Sequence, residues 1–168
     1  MPRKTARLVI KIHPLDNGLI DWKKLTAEFG AAMGCADRIV TLNGGDIMPL
    51  INNCEGVVTI NSTVGTSTLR AGKPLIALGN AIFDIPGLTF QGPLDRFWTQ
   101  ATPPDPVFAD AFIRVLVATT QIRGGYYSRA GIAAGARAAA DRVLHDGELL
   151  PRIAPQDRDV VSYRRAAE

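Results

Sequence analysis

An α/β fold, a parallel sheet flanked by helices, is what three features of this sequence predict. Val57-Val58-Thr59-Ile60 places four β-branched residues in succession with no charge among them, which suits a strand covered on both faces. Short apolar runs of strand length alternate with stretches of helical period, the order expected of right-handed βαβ units. The turn Asn61-Ser62-Thr63 then falls between that strand and a helix opening near Gly65, at the carboxyl edge where such sheets bind ligands.

The first strand is read at Leu8–Ile12 and ends at His13-Pro14, because proline disfavours helical backbone at the residue before it. Asp16-Asn17-Gly18 makes a turn, and Asp21 is the N-cap of a helix with Trp22, Leu25, Phe29 and Met33 at helical spacing. That stripe predicts core packing, with Lys23, Lys24 and Glu28 outward and Gly34 as the stop. Arg38 to Leu42 is the second strand, and after Asn43-Gly44-Gly45 a short helix capped by Asp46 accepts Pro49 in its first turn. The central strand and its hydroxyl turn follow, then a fourth strand after Pro74. Asn80 to Leu88 fits neither period and predicts a long ordered loop, while Leu94 to Trp98 is a single helical turn. Pro106 opens a helix bearing Val107, Phe108, Phe112, Val115 and Leu116, and Gln121 to Arg129 is a glycine-hinged segment with paired tyrosines. Ala130 to His145 is alanine-rich and helical, and from Pro151 a loosely held tail is expected. The predicted organisation is therefore one α/β domain over residues 1–129 and an α-helical C-terminal extension over 130–168.

At 168 residues and 46% hydrophobic content, the chain suits one soluble domain rather than two. A net charge of +3 is too small and dispersed to point to nucleic acid, and no apolar run approaches a membrane span or a signal peptide. The expected location is cytoplasmic. Cys35 and Cys54 form no CxxC pair, so reduced thiols rather than a zinc site are expected.

His13 ends one strand and Ser62 follows another. If those strands are neighbours, an imidazole and a hydroxyl turn share one crevice with a helix N-terminus, a setting for a phosphate. Gly65 would let a ligand approach the backbone there. Ordinary N-capping by Asn61, Ser62 or Thr63 explains the same turn equally well.

KIHPLDNG (11–18), VTINSTVG (58–65), GKPLIALGNAIFDIPGLT (72–89), LDRFW (94–98) and QIRGGYY (121–127) together resemble the C-terminal half of the capsule polysaccharide synthesis proteins of Gram-negative bacteria. These build the β-linked Kdo linker on a lysophospholipid at the inner membrane. The resemblance implies the Rossmann-like C-terminal domain of a GT-B, retaining β-Kdo glycosyltransferase with CMP-Kdo as donor and a lipid-linked acceptor, cytoplasmic and peripheral at the inner membrane. His13, Pro14, Asn61, Ser62, Thr63 and Gly65 are the nucleotide-binding residues it implies. No metal or other cofactor is expected, because imidazole, hydroxyls and a helix N-terminus would stabilise the leaving CMP. No catalytic base is assigned among Asp16, Asp46 and Asp84.

A GT-B site closes between two domains, and only one is expected here, so either a separate chain supplies the acceptor side or the product is truncated. A non-catalytic assembly component of capsule export and an unrelated nucleotide-sugar enzyme such as an epimerase are the competing readings. LDRFW and QIRGGYY favour the capsule family over the epimerase. In a complete GT-B protein the loop 80–89 and the hinge 121–127 would border the partner domain, with Phe83, Trp98, Tyr126 and Tyr127 on an exposed face.

Overall fold

The computed structural model describes residues 6–145. The expected tail from Pro151 lies outside the described residues. Among these residues four strands and six α-helices follow in order, alternating as far as α4: β1 (Leu8–Ile12), α1 (Trp22–Ala32), β2 (Ile39–Asn43), α2 (Met48–Asn53), β3 (Val57–Thr59), α3 (Val64–Arg70), β4 (Leu75–Ala77), α4 (Leu94–Gln100), α5 (Pro106–Thr120) and α6 (Arg129–His145). The chain forms two compact units that divide within α5, the first ending at Val115 and the second beginning at Leu116.

In the first unit every strand pairing is parallel, as the βαβ pattern requires, but the strands form two ladders rather than one. β1 pairs with β2 from Leu8 opposite Ile39 to Ile12 opposite Asn43, and β3 pairs with β4 from Val57 opposite Leu75 to Thr59 opposite Ala77. No hydrogen-bonded ladder joins the two sheets among the described residues. Three-residue strands offer few backbone groups with which to recruit another neighbour. β3 also stops one residue short of the expected strand, because the Thr59 hydroxyl accepts the Ser62 N–H at 3.2 Å and bends the chain into the turn. Ile60, expected to be buried, is consequently 66% exposed.

The core is built in the later half of this unit. Leu69, Leu75, Phe83, Leu88 and Ala109 form one buried cluster, with Val57, Ala77, Ala81, Ile85 and Phe112 packed against it. The irregular segment after β4 supplies two of the five buried residues, so it is a part of the core. Its fold is fixed by the Asp84 carboxylate, which accepts the Thr89 hydroxyl at 2.8 Å and the Gln91 amide at 3.0 Å. Thr89 is buried, and this pairing satisfies a hydroxyl that would otherwise be costly to remove from water. Phe83 is thus corrected from an exposed aromatic to one of the largest fully buried side chains.

The β1–α1–β2 half is more open. Asp21 caps α1 as expected, accepting the Lys24 N–H at 3.0 Å. The predicted core stripe is only half realised: Trp22 and Leu25 are half-buried, whereas Phe29 is 64% and Met33 76% exposed. At this end of α1 the buried position is Gly30, where an added Cβ would meet the Ala36 Cα at 2.9 Å and the Ile39 side chain at 3.2 Å, so the inward face runs through Gly30 rather than through Phe29 and Met33.

In the second unit the described elements are the end of α5, the glycine-hinged segment and α6. The hinge packs backbone to backbone on α6: a Cβ on Gly124 would stand 2.4 Å from the Gly135 Cα, so only glycine fits. Gly125 N–H donates to the Gly131 carbonyl at 3.1 Å, and the Ser128 hydroxyl accepts the Gly131 N–H at 3.0 Å. Arg142 donates to the Gln121 and Ala118 carbonyls at 3.1 and 3.0 Å, satisfying oxygens that the end of α5 leaves without helical partners.

Candidate functional site

At the carboxyl ends of β1 and β2 lies an open hollow of ≈ 370 Å³, lined among others by His13, Pro14, Asp16, Asp21, Trp22, Lys23 and Asn43. Its position follows from topology: β1 delivers His13, β2 delivers Asn43, and the first turn of α1 delivers Asp21, Trp22 and Lys23. This is where parallel α/β layers receive ligands.

The loop between β1 and α1 is ordered by its own side chains. The His13 carbonyl accepts the Asp16 N–H at 3.0 Å, and the His13 Nδ1 accepts the Leu15 N–H at 3.1 Å. A nitrogen that accepts a backbone N–H carries no proton, so the neutral ring holds its hydrogen on Nε2. His13 lines the hollow, and Nε2–H is the donor of its neutral ring. Asp16 is committed to structure, accepting the Gly18 N–H at 2.9 Å and the Trp22 indole N–H at 3.1 Å. Gly18 has a φ of 70°, the left-handed conformation that lets the chain turn back towards α1. Asp21 is spent on its cap, and Lys23 has no ion pair among the described residues, whereas Lys24 reaches Glu28 at 4.0 Å. The polar groups free to meet a ligand are thus an imidazole N–H, an ammonium and the Asn43 amide.

The hydroxyl turn is placed elsewhere. None of Asn61, Ser62, Thr63 or Gly65 lines the His13 hollow, and β1 and β3 are not paired. The single crevice expected of neighbouring strands is therefore not formed by these ladders. The Ser62 hydroxyl accepts the Val64 N–H at 3.3 Å, and Thr63, at the cap position of α3, makes no side-chain cap bond. Gly65 is buried beneath Phe83, where an added Cβ would lie 2.2 Å from the ring. The absence of a side chain there makes room for an aromatic ring. Sequence reading singled out His13 and Pro14 but took Trp22 for core and Lys23 for a solvated residue. The available signal was that both sit in the first turn of the helix that follows the His-Pro strand.

A parallel α/β unit with a polar hollow at its strand ends is the class of protein defined here. Residues 2–127 match the family described as capsule polysaccharide biosynthesis protein, and the chain belongs to that family. It is 39% identical over 124 residues to the capsule polysaccharide export protein KpsS of Escherichia coli, a stretch that covers 74% of this chain and 32% of that protein. It is 36% identical over 125 residues to the capsule polysaccharide modification protein LipB of Neisseria meningitidis serogroup A, covering 74% of this chain and 30% of that protein. A shorter match of 55 residues, 44% identical, reaches the protein FixF of Sinorhizobium fredii and covers 33% of this chain and 14% of that protein. The chain thus spans about a third of the length of KpsS and LipB. No solved structure matches it. No helix among the described residues is long and apolar enough to cross a membrane.

Proposed function

We propose that this chain carries the donor-nucleotide side of a capsule glycosyltransferase of GT-B type, binding CMP-Kdo through the His13 hollow for β-Kdo transfer to a lipid-linked acceptor. The observation that carries the reading is the orientation of the His13 ring by the Leu15 N–H, which leaves Nε2–H as a preset donor at the carboxyl ends of two parallel strands. Transfer from such a donor leaves a phosphate monoester whose added negative charge must be met. A fixed imidazole N–H with Lys23 beside the same hollow supplies donors where that charge develops. Trp22 offers an indole face to a pyrimidine, its N–H already held by Asp16. Family membership supports the setting in capsule assembly.

Calorimetry with CMP tests the assignment. His13→Ala removes a hydrogen bond to a charged group, worth about 1.5–3 kcal/mol, and should weaken binding about tenfold or more. Ser62→Ala, which alters a hydroxyl committed to its own turn and outside the hollow, should change affinity less than about twofold. Equal affinity of the native chain and His13→Ala, or a failure of the native chain to bind CMP, removes the donor site from this hollow.

A further inference from the structure

The β3–β4 ladder has one edge engaged and one open. On the side of β4 away from β3, the Leu75 carbonyl accepts the Phe90 N–H at 2.8 Å, so the returning chain meets that edge. On β3 the Val57 N–H donates to the Pro74 carbonyl at 2.9 Å, and the Thr59 carbonyl accepts the Leu78 N–H at 2.8 Å. Backbone groups alternate sides along a strand, so the N–H and C=O of Val58 turn to the opposite edge, where no described strand pairs with them. The run Val57 to Ile60 places no charge on that edge, although Ile60 is 66% exposed. β1 likewise pairs only with β2, and its Leu8 and Val9 are 45% and 44% exposed. Apolar strands in parallel sheets are ordinarily covered on both faces.

Two strand orders are common among doubly wound sheets, 2-1-3-4-5 and 3-2-1-4-5-6. The first would make β1 and β3 neighbours, and no ladder joins them. The second pairs strand 2 with 3 and strand 4 with 5 and keeps strand 1 between the pairs. That is the pairing seen here if β1 to β4 are strands 2 to 5. We propose that a fifth strand, parallel to both, inserts between the free edges of β1 and β3 and joins the two ladders into one sheet. Its source is a segment outside these 168 residues; the matched stretch covers 32% of KpsS and 30% of LipB, which leaves ample polypeptide to supply it. A strand at the centre of such a sheet is buried on both faces, so the segment is an uncharged run of about five β-branched or aliphatic residues. His13 and the 61–63 turn then flank it at the carboxyl edge, two strand spacings or about 10 Å apart. The inference does not depend on the donor-site reading, since it rests on strand pairing alone.

Solution NMR provides the test. The probe is the segment of roughly 30 residues, one strand and its crossover, that precedes the matched stretch of Escherichia coli KpsS. It is supplied as an N-terminal extension of the full chain and, separately, as a free peptide at saturating concentration. Long-range NOEs are expected from one added strand to both β1 and β3, and the Val58 amide should exchange about tenfold or more slowly than in the chain alone. A segment of the same composition in scrambled order should produce neither. Val58 exchange that slows in neither form, NOEs to one ladder only, or pairing at β2 overturns the proposal. So do direct β1–β3 contacts in the chain alone, or contacts there from residues 146–168 to both edges, because either would join the ladders without an outside strand.

Discussion

Phe83 and Gly65 show how one side chain sets the requirement at another. The Phe83 ring lies over Gly65 of α3, and a Cβ there would stand 2.2 to 2.6 Å from three ring carbons. Gly65→Ala should therefore destabilise the chain by about 1–3 kcal/mol through overpacking. Phe83→Leu opens room at the same place at the cost of lost burial, so the double variant should be less destabilised than the two single losses combined. Urea denaturation of the four proteins gives the coupling energy, and additive losses would mean that the ring and the glycine do not oppose each other. His13 illustrates the opposite case. The sequence placed it at a strand end by the proline that follows, yet only the structure shows its Nδ1 engaged by the Leu15 N–H.

Among the elements, positions with a local cause were readable and positions with a tertiary cause were not. β1, the Asp21 cap, Pro49 in the first turn of α2 and the alanine-rich α6 follow from turn chemistry, capping and propensity, all of which act within a few residues. The segment 80–89 has no period, so nothing local announces that Phe83 and Leu88 are buried; the Asp84–Thr89–Gln91 bonds fold it onto the core. Likewise, alternation of strand and helix predicts parallel pairing but not which strands pair, and the expected meeting of His13 with Ser62 depended on that choice. The two ladders should differ in local stability. β4 carries Leu75 and Ile76 at 1% and 2% exposure, whereas Leu8 and Val9 of β1 are 45% and 44% exposed. Native-state hydrogen exchange should find the β3–β4 amides protected at least tenfold more than those of β1–β2. Equal protection would show that both ladders open only with the whole unit.

At the scale of the molecule, the family match over residues 2–127 runs past the division at Val115 and Leu116 and ends within the hinge at Tyr127. Both the His13 hollow and the backbone clasp on Gly124 therefore involve the matched stretch, while all of α6 follows it. The chain covers about a third of KpsS and LipB, and the transfer reaction is proposed for the protein as a whole, with donor binding as the part assigned to these residues. The sequence contains two histidines, His13 and His145, which makes imidazole nitrogen NMR a direct reading of the central claim. Without ligand, the neutral form of the His13 ring should carry its hydrogen on Nε2 rather than Nδ1, as its bond from Leu15 requires. On addition of CMP, the His13 Nε2 resonance should shift saturably while that of His145 stays in place. A His13 ring that ignores saturating CMP, or two histidines that shift together, would contradict the account.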